Sequence, residues 1–340
     1  MAKTLVTGAN GFVAAHVVDS LVKEGHEVVG SVRRDIYGDQ LLSVHPEWKG
    51  KVTFVNVSDY TKEGAWDEAL KEGDFDYVLH IAAPMPSPTN QDFDKDFLEP
   101  TVKGNLELLK SASKYGKNLK SIVVTGSVNS ITYGNAEHIT GRVFTHKDWL
   151  PTTVEEARAA NHYFSSYATS KKYSEQALWD YVEKEKPSYT VTVFLPCLIF
   201  GPPIHYVSDI NKLNYTSAIV YSFFNGSTDQ VSPTSFPSYI DVRDVVDAHI
   251  LALTTPGAAN KRLLIGGSRY TSQLAADVLR KVPELEGRVV SKDLDESPPV
   301  LQLDVSEAEK LFGKPTRTPE ATFGDTARKI LELERELGGK

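Results

Sequence analysis

Tyr167 and Lys171 stand four apart in "YATSK", and Ser127 closes "VVTGS". Together these residue types can do acid–base chemistry. A free phenol titrates near pH ~10. A neighbouring ammonium favours the phenolate and lowers that value. A phenol tuned in this way protonates a developing alkoxide and, in reverse, takes the proton back. A serine hydroxyl aimed at the same oxygen stabilises the charge that builds there. Singly, a Tyr and a Lys at this spacing also fit an ordinary surface helix, and Ser127 fits a turn. The surrounding elements have to decide.

Those elements alternate. Short β-branched runs recur at "TLVTG" (4–8), "EVVGSV" (27–32), "VTFVNV" (52–57), "YVLHIA" (77–82), "SIVVTG" (121–126), "TVTVFLP" (190–196) and "RLLIGG" (262–267). Their nearly continuous Val/Ile/Leu content suits parallel strands buried on both faces. Amphipathic stretches separate them, such as 12–25, closed by Gly25 as a C-cap. The pattern predicts an α/β fold, a Rossmann-type doubly wound parallel sheet. Ser127 then falls just past the fifth strand, on the carboxyl edge where ligands of such sheets bind. The helix carrying "YATSK" starts after "FSS", with Ser165 or Ser166 as N-cap, and ends at Pro187. Tyr167, Lys171, Ser174 and Leu178 share one face of it.

The first strand runs into "TGANGFVA", with Gly8, Gly11 and Ala14 three apart. The first glycine permits a tight turn, the second a close approach of backbone to a pyrophosphate, and Ala14 close helix–sheet packing. Thr7, Gly8, Asn10, Gly11, Phe12 and Val13 are therefore candidate contacts for a dinucleotide, against a turn built of small residues for packing alone. The second strand ends in "GSVRRD". An acidic residue there would pair with a ribose 2′-hydroxyl; arginines suit a 2′-phosphate. Arg33, supported by Ser31 or Arg34, predicts NADP(H), unless the two arginines are merely solvated. Asp59, with Tyr60 beside it, either accepts from the adenine or caps a turn.

After Pro202 the pattern loosens into Pro-, Ser- and aromatic-rich stretches. Residues 1–201, with 239–267 returning to the sheet at "YIDVRDVVDAHILAL" and "RLLIGG", read as the dinucleotide-binding domain. Residues 202–238 and 268–340 read as a smaller, mostly helical lobe over the site. Met85 after the fourth strand, Tyr133 after Ser127, and Leu198, Tyr206 and Phe236 on the covering lobe are candidate pocket residues, each of which could equally be core packing. They describe an apolar pocket for aliphatic or aromatic carbonyls.

Composition closes off other classes. The formal charge of −8 argues against nucleic acid or an anionic membrane as partner. Cys197 is the only cysteine, which excludes an intrachain disulfide and a cysteine metal cluster. The histidines show no metal-ligand spacing, so no metal is expected. The N-terminus does not read as a secretory signal, and the longest apolar run is too short to span a bilayer. The expectation is a cytoplasmic protein, monomer or homodimer, acting on a small-molecule aldehyde or ketone.

In this order and spacing, "TGANGFVA", "VVTGS", "YATSK" and "LPCLIFGPP" resemble the extended short-chain dehydrogenase/reductases. "VLHIAAP" and "YIDVRDVVDAH" look most like the branch of yeast methylglyoxal and isovaleraldehyde reductases, fungal carbonyl reductases and plant dihydroflavonol reductases. The resemblance covers essentially the whole chain. It implies a Ser–Tyr–Lys triad at Ser127, Tyr167 and Lys171, with Lys171 also holding the nicotinamide ribose. It also implies that Pro196 and the backbone after it, reaching Leu198, lie against the nicotinamide, and that Ala82 approaches the ribose–phosphate portion. Gly126 departs from the second serine of many relatives. "EPTVKGN" offers Thr101 or Asn105 where shorter members carry an asparagine that assists proton relay. Two other readings share the fold: a nucleotide-sugar epimerase or dehydratase, and a non-catalytic NADP-binding sensor. "SVNSI" lacks the carboxylate of a dehydratase, and a sensor is expected to lose the Tyr or Lys.

Overall fold

The computed structural model of the protein describes residues 1–83 and 92–338. Among these, the first half of the chain contributes β1 (Lys3–Val6), β2 (Glu27–Val32), β3 (Val52–Asn56), β4 (Tyr77–His80), β5 (Ser121–Thr125) and β6 (Val143–Phe144). The second half contributes β7 (Thr190–Pro196), β8 (Leu198–Phe200), β9 (Ser238–Asp241), β10 (Lys261–Ile265), β11 (Ser268–Arg269) and β12 (Gln302–Leu303).

Seven strands form one parallel sheet in the order β10-β7-β5-β4-β1-β2-β3. Each of the apolar runs read as a strand supplies one of them. Successive side chains of a strand point to opposite faces, and adjacent residues accordingly enter different cores. Val6, Leu79, Val123 and Phe194 pack under helices Phe12–Lys23 and Val242–Ala252. Leu5, Val78, Ile122 and Val193 pack under helices Glu99–Tyr115 and Tyr163–Glu185. Both faces being covered explains why the runs lack polar alternation. Gly25, at φ +81°, ends the first helix as expected. Its N–H donates to Val22 O, and the next N–H, of His26, donates to Leu21 O.

Three expectations differ. The run at 239–241 does not rejoin the central sheet. β9 pairs with β8 and β11 in a separate three-stranded sheet. The edge of β7 is already filled by β10 over five residues, and an apolar run alone does not say which edge it will take. Second, helix Tyr163–Glu185 starts before both serines, with extended His162 as N-cap. The preceding helix ends at Asn161 in the left-handed region, so the chain has already turned. Third, the stretch after 268 is not uniformly helical: between helices Ser272–Leu279 and Ser306–Phe312 it is largely irregular.

A third core is built around Phe200, Tyr239, Tyr270 and Phe323, so Phe200 and Tyr239, expected in the dinucleotide-binding part, pack with residues after 268. Ring centroids lie 5.0 Å apart for Phe200–Tyr270 and 5.2 Å for Phe200–Phe323. A buried carboxylate ties this core to the sheet. Asp241 caps its helix through Arg243 N–H (2.8 Å), takes two guanidinium bonds from Arg243 (2.9 and 2.8 Å), and accepts from Thr322 Oγ1 at 2.7 Å. Burial alone would raise its pKa, but these donors outweigh burial and hold the carboxyl below the usual range. An acid with a depressed folded pKa stabilises above its unfolded pKa and loses that contribution as pH falls through the folded value. Asp241→Ala is expected to cost about 3 kcal/mol in urea unfolding at neutral pH. The difference from the parent should shrink as the pH is taken below ~4.

Candidate active site

The strand order reverses between β1 and β4, and the crevice opens there on the carboxyl edge. Gly8 turns the chain at φ +66°, and a Cβ at this position would lie 3.1 Å from Ala82 Cβ. Gly11 N–H donates back to Gly8 O at 2.9 Å. Gly11 is also the N-cap of the first helix, which has no side-chain cap and no acidic residue in its first turn. The backbone N–H groups around Phe12 and Val13 thus lie without intrahelical acceptors at the positive end of the helix. Asn10, half-buried beside them, makes no side-chain hydrogen bond among the described residues.

Two of the expected contacts do other work. Ser31 is buried, and its Oγ accepts from Gly8 N–H at 3.0 Å, so it braces the turn from beneath. Thr7 Oγ1 accepts from the N–H groups of Ile81 (2.9 Å) and Ala82 (3.0 Å). Its own proton must then go to His80 Nδ1, 2.9 Å away. That fixes the His80 tautomer: Nε2 carries the hydrogen and donates to Asn105 Oδ1 at 3.0 Å. Asn105 Nδ2 donates to Ser174 Oγ (2.7 Å), and Ser174 donates to Thr101 O (3.0 Å). Burial, with Lys171 adding to it, pushes His80 down to about 4, in keeping with a neutral ring. This directed chain runs from the glycine turn to the helix of Tyr167. Sequence reading missed His80 and left Thr101 and Asn105 unresolved. The signal was a histidine inside an apolar strand, since buried polar side chains have partners.

Ser127, Tyr167 and Lys171 do come together. Ser127 is buried at the end of β5, and its hydroxyl accepts from Asn129 N–H at 3.1 Å. Burial pushes the Tyr167 phenol up to about 12, and its hydrogen bond with Ser127 pulls the other way. Lys171 is buried one turn further on, its Nζ 5.7 Å from the Tyr167 ring centroid. Burial pushes the ammonium down to about 8, opposed by Glu175. The sequence predicted a lowered phenol. In the folded chain burial of the phenol is the largest influence and raises it. A cavity of about 20 Å³ beside Lys171 is lined by Tyr60, His80, Thr101, Asn105 and Ser174 among others.

Arg33 is exposed and its side chain makes no hydrogen bond among the described residues, whereas Arg34 bonds Tyr37. Asp59 accepts from Thr61 N–H (3.0 Å) and Oγ1 (2.6 Å) through one oxygen, the turn-capping alternative. Those bonds hold its carboxyl low. Pro196 ends β7 opposite Ile265, and Leu198, half-buried, touches both the sheet and the lobe cores. Tyr133 spends its hydroxyl on Thr152 Oγ1 (2.9 Å) and Ser165 Oγ (3.1 Å). Phe236 is core, buried against Gly134. Tyr206 is half-buried. Met85 lies outside the described residues. A possible ligand trio, Asp19, His45 and Glu47, gathers elsewhere, with His45 already bonded to Glu47 and to Ile204 O.

Residues 4–266 match the NAD dependent epimerase/dehydratase family. The chain belongs to that family. Within it, this member is 34% identical over 98% of both chains to a putative uncharacterized oxidoreductase of Schizosaccharomyces pombe. It is 32% identical to the NADPH-dependent methylglyoxal reductase of Saccharomyces cerevisiae, over 98% of this chain and 99% of the other. The crystal structure of yeast methylglyoxal/isovaleraldehyde reductase complexed with NADPH superposes with a TM-score of 0.85, at 28% identity, over 98% of this chain and 99% of that one.

The Thr7 hydroxyl gathers three partners on a single atom. Thr7→Val keeps the shape but strands two backbone N–H groups and His80 Nδ1. The expected loss is about 2–3 kcal/mol of stability in thermal or urea unfolding; parental stability would show that the chain of bonds is not formed.

Proposed function

We propose that the protein reduces aldehydes and ketones to alcohols with NADPH. The observation that carries this reading is Lys171, buried one turn below Tyr167 with its Nζ 5.7 Å from the ring centroid, on a helix packed against the turn that holds the buried Ser127. It lies on the sheet edge that also carries the glycine turn. NADP(H) is the cofactor. The uncapped helix end at Phe12 and Val13 receives its pyrophosphate, and the free guanidinium of Arg33 its 2′-phosphate. When bound, NADPH supplies the hydride that reaches the carbonyl carbon. Tyr167 gives its phenolic proton to the carbonyl oxygen while Ser127 donates a hydrogen bond to it. Lys171 holds the ribose and stabilises the phenolate left behind. The 202–238 and 268–340 segments form the substrate side. No carboxylate bonds Ser127 or Tyr167 among the described residues, which favours reduction over sugar dehydration.

The raised phenol suits the reductive direction, because the acid form persists at neutral pH. The lowered lysine sets the other limit: the rate of reduction should fall as pH rises past about 8, where Lys171 loses its charge. Purified protein is expected to oxidise NADPH in the presence of small aldehydes and diketones. Tyr167→Phe should lose roughly a hundredfold or more in kcat with NADPH binding intact. A phenylalanine variant of near-parental rate would remove Tyr167 as the acid. Arg33→Ala should raise the KM for NADPH about tenfold and leave that for NADH unchanged; equal effects on both would place the 2′-phosphate elsewhere.

A further inference from the structure

One buried ion pair is not used by the chemistry above. Glu175 follows Lys171 by one helical turn, and Arg262 is on the edge strand β10; both are buried. Glu175 Oε1 accepts from Arg262 Nε (2.6 Å) and Trp179 Nε1 (3.2 Å). Its Oε2 accepts from Arg262 Nη2 (3.3 Å) and Ser130 Oγ (2.9 Å). Arg262 Nη1 donates to His146 O and Asp148 O, both at 2.7 Å, and Nη2 also donates to Ser130 Oγ at 2.9 Å. The guanidinium lies 3.8 Å from the Trp149 ring centroid. A guanidinium has five N–H donors and a carboxylate about four acceptor positions; every one is filled.

Such a pair seldom adds stability over an apolar pair of similar volume. Its placement indicates another task. Ser130 sits in the short turn that follows Ser127; its N–H donates to Ser127 O at 3.0 Å, while its single hydroxyl proton serves Glu175. The carboxylate that grips Ser130 belongs to the helix of Tyr167 and Lys171. We propose that Glu175 and Arg262 are positioning residues that fix Ser127 relative to Tyr167 and Lys171. The role rests on the reading of those three as the reacting groups. Glu175 also supplies the negative charge that favours the Lys171 ammonium.

The test compares Glu175→Gln, Arg262→Lys and the apolar double variant Glu175→Leu/Arg262→Met with the parent and with Tyr167→Phe. Unfolding midpoints and NADPH affinity by fluorescence are measured beside kcat, KM and pH profiles. The double variant, expected to fold, should lose tenfold or more in kcat with NADPH affinity and KM within about twofold. Glu175→Gln should move the alkaline limb of the kcat profile to lower pH. Arg262→Lys, which keeps the charge but lacks the fork, should lower kcat without moving that limb. If the double variant does not fold, Arg262→Lys decides the matter by its kcat at kept NADPH affinity and KM. Parental kcat in the double variant, or in Arg262→Lys, overturns the clamp. If Tyr167→Phe is inactive at that point, the reductase reading stands. Parental activity in Tyr167→Phe overturns that reading, and the clamp with it.

Discussion

The Thr7 hydroxyl closes the crevice on which the rest of the site is built. It is one oxygen with three partners, two backbone N–H groups and a histidine nitrogen. Those bonds draw the turn after β4 onto the turn after β1, so that Ala82 crowds Gly8, whose positive φ already disfavours a side chain there. Through His80, Asn105 and Ser174 the same bonds reach the helix of Tyr167 and Lys171. The glycine turn and that helix are therefore not placed independently. In a low-dielectric interior each link is strengthened by its neighbours, and each unmade link costs more than it would in water.

The same dryness sets the charge state of the site. Burial drives Tyr167, Lys171 and His80 each toward the neutral form. A neutral phenol is the form a proton donor needs, so for Tyr167 desolvation and the proposed task agree. For Lys171 they conflict, and Glu175 opposes the shift. Arg262, Ser130 and Trp179 fill the acceptor positions of Glu175. The electrostatics of Tyr167 and Lys171 are thus arranged from behind, through the protein, as well as from the crevice.

Sequence pattern made the central sheet legible because each strand is buried on both faces and reads as an unbroken apolar run. It made Ser127, Tyr167 and Lys171 legible because their order follows the strand and helix that carry them. It could not assign β9, since four residues of "SYID" fit any free edge and the choice depends on β10, which lies later in the chain. Nor could it say that Thr7 and Ser31 turn inward while Arg33 points out, because hydroxyl partners are set by tertiary approach. Asn105 and Arg262 were hidden for the same reason: their partners are far away in sequence. The sign of the Tyr167 shift was missed because spacing reports the neighbouring charge and is silent about depth.

The Glu175–Arg262 pair also constrains how this sequence can drift. Arg262 binds the main chain at His146 and Asp148, so its bonds there do not use the side chains at those two positions. Positions 175 and 262 contribute through their side chains. Replacing either one strands a buried charge, at a cost of about 3–5 kcal/mol, a large share of a typical domain's stability. An apolar pair is a stable alternative, yet every route to it through single substitutions crosses a less stable intermediate. Descendants of this chain should therefore keep both residues or lose both together.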